Sequence, residues 1–212
     1  MSDYGEMRKH VQETALKSYN EGLVAGTSGN VSEFDHDTGI MAITPTNVDY
    51  RVLTPENVVL MKLDGEIVEG ALKPSSEWRM HAKVYEQLDY VNAIMHTHSP
   101  FATSFAVVHE TIPLILVEML PFLGGDIPLA QFALPGSFEL GVEAVKALEN
   151  RNSCLLANHG VLVIGKNLAQ AYIRAVYVED ASKIYHHARQ LAAPQLIPEE
   201  AVAVLKKKYN LK

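Results

Sequence analysis

Apolar residues recur at helical spacing near the start of the chain. Met7, Val11, Ala15, Leu16 and Tyr19 fall on one face, and Gly22 and Gly26 end the run, so a helix is predicted over 4–24. The pattern then tightens. Val31–Phe34 and Ile40–Thr44 read as strands joined by the Asp35–Gly39 turn, and Val58–Leu63 and Glu66–Glu69 form a hairpin about Asp64-Gly65. Thr54-Pro55-Glu56 has the form of a helix start. A helix is predicted from Ser75 or Ser76 to Leu88, a buried strand over Val91–Met95, and a helix from Ser99-Pro100 to Val108. Ile112–Met119 is an apolar run, interrupted by Glu118, and reads as a strand. Gly136–Glu149 is amphipathic and helical. Ser153–Ala157 and Val161–Ile164 read as strands around Asn158-His159-Gly160. A long helix over Leu168–Leu191 and a short one over Pro198–Tyr209 complete the chain. No repeat, low-complexity segment or linker interrupts this alternation. The expectation is a single α/β domain over residues 1–212, with a sheet covered by helices on both sides.

Composition narrows the possibilities. The 212 residues are 48% hydrophobic and 20% charged, enough to bury a core without covalent staples. The formal net charge of −7 argues against a nucleic-acid or anionic-membrane binder. The single cysteine, Cys154, lies in an apolar run and permits no intrachain disulfide. Met1–Thr14 is polar, and the apolar run at Ile112 is too short to span a bilayer. A soluble, cytoplasmic protein is expected.

Two groups of residues carry chemistry. His96-Thr97-His98 closes a predicted strand, where residues two apart share a face and two imidazoles can grip one ion, at about 2.0–2.1 Å for zinc. His159 sits in a second turn between apolar strands, and Glu77 opens a helix. Each lies at the end of an element, as an exchangeable metal site requires. Taken alone, a His-x-His pair more often makes ordinary hydrogen bonds, and Glu77 would serve equally as a helix-dipole or capping residue. The second group would suit an anion: Gly26-Thr27-Ser28-Gly29-Asn30, Thr44-Pro45-Thr46-Asn47 and Ser75-Ser76 offer glycines, hydroxyls and a helix start. Each segment alone would equally be a turn or cap. Neither a Walker pattern nor Gly-x-Gly-x-x-Gly occurs.

In order along the chain stand Gly26-Thr27-Ser28-Gly29-Asn30-Val31-Ser32, Ile43-Thr44-Pro45-Thr46, Pro74-Ser75-Ser76-Glu77-Trp78-Arg79, His96-Thr97-His98, Gly124-Gly125 and Asn158-His159-Gly160. Together they resemble the class II, zinc-dependent aldolase and L-ribulose-5-phosphate 4-epimerase superfamily, from about Met7 to Tyr209, with the pattern of L-fuculose-1-phosphate aldolases. The resemblance implies a central, largely antiparallel sheet with helices on both faces, and a homotetramer whose active sites lie between subunits. It implies that His96, His98 and His159 bind Zn²⁺. Glu77 would be the fourth ligand, leaving the metal to act as acid/base when substrate arrives. Gly29, Asn30, Thr46, Ser75 and Ser76, with Thr27 nearby, would hold the substrate phosphate.

Two departures and one correspondence bear on activity. Asn47 stands where the family's phosphate loop has glycine; asparagine tolerates positive φ better than most residues. Val117-Glu118-Met119 stands where fuculose-phosphate aldolases carry a tyrosine that reaches a neighbour's site. The glutamate resembles the acid/base of the methylthioribulose-1-phosphate dehydratase branch. Tyr209 corresponds to the family's closing C-terminal tyrosine. The expected activity is zinc-dependent cleavage of a deoxyketose 1-phosphate, L-fuculose 1-phosphate first, to dihydroxyacetone phosphate and a small aldehyde. Alternatives are an aldolase for 5-deoxyribulose or methylthioribulose 1-phosphate, a dehydratase using Glu118, a Schiff-base aldolase using Lys73, and a noncatalytic adducin-like domain.

Overall fold

The computed structural model describes residues 4–211. Residues 1–3 and 212, the ends of the expected 1–212 domain, lie outside the described residues. Helix α1 (Tyr4–Asn20) is followed by strands β1 (Asn30–Asp35) and β2 (Ile40–Ile43). Strands β3 (Val59–Lys62) and β4 (Ile67–Glu69) form the hairpin expected at Asp64-Gly65. Next come α2 (Trp78–Gln87), β5 (Ala93–Thr97), α3 (Pro100–Val107), α4 (Met119–Leu123), β6 (Leu129–Ala130) and α5 (Phe138–Ala147). The chain closes with β7 (Ser153–Leu156), β8 (Gly160–Gly165), α6 (Leu168–Leu191) and α7 (Glu199–Lys208).

The strands form one sheet in the order β4-β3-β2-β1-β5-β8-β7-β6. Every pairing is antiparallel except β6 with β7. Side chains alternate between faces along each strand. Val31, Ala42, Met95, Leu155 and Val163 join a core with α1, α3, α4 and α6. Phe34, Met41, Ile94, Cys154, Leu156 and Leu162 join a second core with α2 and α5. The near-continuous apolar character of β5, β7 and β8 follows from burial on both faces.

Several boundaries differ from the expected ones. Ile112–Met119 is not a strand: Ile112 makes one isolated bridge with Ile127, the chain then loops, and Met119 begins α4. An apolar run broken only by Glu118 has no period to separate strand from buried loop and helix. Thr54-Pro55-Glu56 starts a single 3₁₀ turn, Pro55–Asn57. Helix α2 begins at Trp78, not at Ser75 or Ser76, because the segment before it is held to the sheet by a Pro45–Pro74 bridge and a Ser75 N–H to Thr44 carbonyl bond. No helix among the described residues is long and apolar enough to cross a membrane.

Candidate active site and metal centre

The site lies where β1 begins and β5 ends. Antiparallel register pairs Asn30 with His96, and His96 with Leu162 on the other side. His96 shares the Ile94 face of β5 and is fully buried, deeper than the rim position expected from its place near a strand end. His98 follows just beyond the strand, with its N–H bonded to the Leu23 carbonyl. His159 comes from the β7–β8 turn, where Asn158 holds φ at 55°. Glu77 is the N-cap residue of α2, but its carboxylate makes no cap bond and turns to the histidines.

Gly160 makes this packing possible. A Cβ there would lie 2.4 Å from the Thr97 carbonyl and 3.2 Å from both the His96 and His98 rings. Gly29 does the same on the other side: its φ is +74°, and a Cβ would meet the His96 carbonyl at 2.7 Å.

The side-chain nitrogens converge. His96 Nε2 lies 2.9 Å from His98 Nε2 and 3.0 Å from Glu77 Oε2. His159 Nε2 lies 3.3 Å from Glu77 Oε1. The Asn30 amide donates to Glu77 Oε2 at 3.1 Å. His96 Nδ1 faces the Val161 carbonyl at 2.9 Å, so that nitrogen carries the hydrogen and Nε2 presents a lone pair. Lone pairs and a carboxylate therefore meet at one point. Glu77 Oε1 and His159 Nδ1 are buried without a hydrogen-bond partner, an expensive state for polar atoms. A divalent cation at that point would turn the convergence of lone pairs into ligand bonds, since ligand atoms of His96, His98 and His159 all lie within 4.8 Å of one another.

Protonation states agree. Burial alone raises the Glu77 pKa, but the imidazoles of His96 and His159 and the Asn30 amide together hold it well below the usual carboxylate range. Burial, with repulsion from neighbouring imidazoles, brings His98 and His159 down to about 4. At neutral pH the site offers an ionised Glu77 carboxylate and, at His98 and His159, neutral imidazoles, the forms that ligate metals.

A cleft of about 210 Å³ opens beside this point. Thr27, Gly29, Asn30, Thr46, Asn47, Ser75 and Ser76 all line it, together with Glu77, His98 and His159. Asn47 takes a positive φ of 57°, as the substitution for glycine requires. The Thr46 N–H bonds the Lys73 carbonyl, so two of the polar segments are tied to each other. Tyr50 was not legible as a site residue: its hydroxyl donates to the Gly29 carbonyl at 2.8 Å and braces the glycine turn. Pro135, also unforeseen, forms part of the cleft wall. His81 is fully buried behind the site, with Nδ1 2.6 Å from Ser32 Oγ.

Glu118 and Tyr209 are not among the residues lining the cleft. Glu118 is exposed immediately before α4, and Tyr209 caps the end of α7.

Fold and site define a metal-dependent aldolase, and residues 9–186 match the class II aldolase and adducin N-terminal domain family, to which the chain belongs. It is 34% identical over 203 residues to a 5-deoxy-D-ribulose 1-phosphate aldolase of Bacillus thuringiensis serovar kurstaki, covering 96% of this chain and 95% of the relative. It is 37% identical over 189 residues to a 5-methylthioribulose-1-phosphate/5-deoxyribulose-1-phosphate aldolase of Rhodospirillum rubrum, covering 89% and 84%. A solved L-fuculose 1-phosphate aldolase superposes with a TM-score of 0.92 at 35% identity, over 97% of each chain. The protein is a class II aldolase enzyme.

Proposed function

We propose that this aldolase uses zinc to cleave a deoxyketose 1-phosphate into dihydroxyacetone phosphate and a small aldehyde. The observation that carries this reading is the junction of His96, His98, His159 and Glu77 with the hydroxyl- and amide-lined cleft. Three imidazoles and a carboxylate suit zinc in a catalytic setting. Held there, the ion would supply Lewis-acid stabilisation of the charge that develops on substrate oxygens as the C3–C4 bond breaks. Thr27, Gly29, Asn30, Thr46, Asn47, Ser75 and Ser76 would seat the phosphate and so fix the carbon skeleton. Glu77, within reach of Asn30 and two histidines, would hold the proton exchanged at C3 of the dihydroxyacetone phosphate fragment. Glu118 and Tyr209 would act in a neighbouring subunit's site, Glu118 on the proton of the C4 oxygen, in a cytoplasmic homotetramer of one-domain chains. Exposure of Glu118 supports a role outside its own cleft.

The test is triose phosphate release, coupled to NADH oxidation, from L-fuculose 1-phosphate and 5-deoxyribulose 1-phosphate side by side. The protein is assayed after chelation and after zinc repletion. Zinc-restored release is expected, and the ratio of kcat/KM assigns the substrate. No triose phosphate from either sugar, or from methylthioribulose 1-phosphate, with zinc-loaded protein would overturn the cleavage reading. Glu118 in place of tyrosine favours a second reading, dehydration of methylthioribulose 1-phosphate, whose product is a diketone formed by loss of water.

A further inference from the structure

Helix α4 is short, and its hydrogen-bonded anchors lie at its C-terminal end, where the Asn152 N–H bonds the Leu123 carbonyl at 2.9 Å and Phe122 makes the others. The Phe122 N–H bonds the Glu118 carbonyl at 3.3 Å. The Phe122 carbonyl accepts from Arg174 Nε–H at 2.8 Å and from the Asn152 amide at 3.0 Å. Its ring stacks on Tyr177, with centroids 4.1 Å apart. Arg174 and Tyr177 both belong to α6. The second arm of Arg174 donates to the Ile164 carbonyl of β8 at 2.8 Å. This half-buried guanidinium therefore joins two main-chain carbonyls. One is at the Ile164 end of β8, opposite the Gly160 end that faces the histidines; the other is one hydrogen bond from Glu118.

We propose that Arg174 is a positioning residue for Glu118, fixing how α4 sits against α6 and β8 and so how Glu118 is presented to the neighbouring subunit's cleft. The inference rests on the reading of Glu118 as an acid/base. A guanidinium suits the task because its planar fork can bind two acceptors in fixed directions, which lysine cannot do. Buried Met119, Leu120 and Leu123 hold α4 against the core, but apolar contacts are non-directional. The hydrogen bonds to Phe122 supply the direction.

The experiment is a double-mutant cycle on full-length, zinc-loaded protein with Arg174→Met, Glu118→Gln and both together. Amide hydrogen exchange is read on the same samples. Arg174→Met should lower kcat about tenfold or more, as small misplacements of reacting groups do, with KM within about twofold and zinc content unchanged. In the Glu118→Gln background the same substitution should have no further effect. Exchange over residues 119–124 should quicken, while residues 93–97 stay protected. Equal loss of kcat in both backgrounds, or unaltered exchange over 119–124, overturns the proposal. An unchanged kcat in Glu118→Gln alone overturns the role of Glu118, and the coupling with it. If Arg174→Met does not fold, Arg174→Lys, which keeps the charge but reaches one carbonyl, goes through the same cycle with the same criteria.

Discussion

At Gly160 the room for a side chain is negative: an added methyl would press on the Thr97 carbonyl and on two imidazole rings at once. Backbone cannot yield as a flexible side chain can, so Gly160→Ala should displace His96 or His98. We expect a loss of about 1–3 kcal/mol of stability, typical of overpacking, and weaker metal binding. Thermal unfolding and metal titration would check this; wild-type values for both would show that the turn relaxes. His98→Ala removes a proposed ligand and leaves space instead. Zinc content and turnover should fall together, as measured by elemental analysis and triose phosphate release. At this scale the grouping of His96, His98, His159 and Glu77 was legible from the ordered motifs and the resemblance they carry, and not from residue type, since each residue alone had an ordinary alternative. Tyr50 was not, since its role depends on one hydroxyl meeting one carbonyl 21 residues away.

The elements have their own dependencies. Helix α3 begins two residues after His98, and its N-cap Ser99 makes no side-chain cap bond. Glu179 of α6 serves in its place, accepting the Phe101 and Ala102 N–H groups at 2.9 Å each. A carboxylate at a helix start satisfies free amide donors and the helix dipole together. Glu179→Ala should therefore cost about 1–2 kcal/mol, in the range of lost N-caps, measured by urea unfolding; Glu179→Gln should cost less. Elements with a clear period, such as α1, β1, the β3–β4 hairpin and α6, were legible to within a few residues. Helix α4 was hidden in an apolar run, and β6 is two residues long. Neither has enough length to display a period. Glu118 consequently changed from a residue inside a strand to one leading into a helix.

For the whole molecule, the site couples stability to protons. His98 and His159 have folded pKa values depressed to about 4 from 6.5, so the folded state binds fewer protons than the unfolded chain between those values. In the chelated protein their contribution is full above pH 6.5 and is lost as pH falls through about 4. The thermal midpoint of the chelated protein should drop across that window. Zinc should raise the midpoint at neutral pH and lose its effect as the imidazoles protonate. A midpoint flat from pH 7 to 4 would contradict neutral, half-buried His98 and His159. Assembly has a separate test. If Glu118 serves a neighbour's cleft, subunits carrying His98→Ala and subunits carrying Glu118→Gln, each poorly active, should regain turnover when unfolded, mixed and refolded together. No gain over the separate proteins would place Glu118 outside the neighbour's cleft.

Strand β5 holds the middle of the sheet, and its neighbours β1 and β8 are more than 60 residues from it in opposite directions along the chain, measured at the Asn30–His96 and His96–Leu162 pairs. Glu77 arrives from a third segment. Contacts between such distant stretches form slowly, after local helices and hairpins. The ligand set therefore comes into being only when both halves of the sheet have closed on β5. The ion cannot seed the architecture; it arrives as a late reporter. In refolding with cobalt, the d–d absorption should grow with the slowest major phase, and trail the recovery of helical ellipticity.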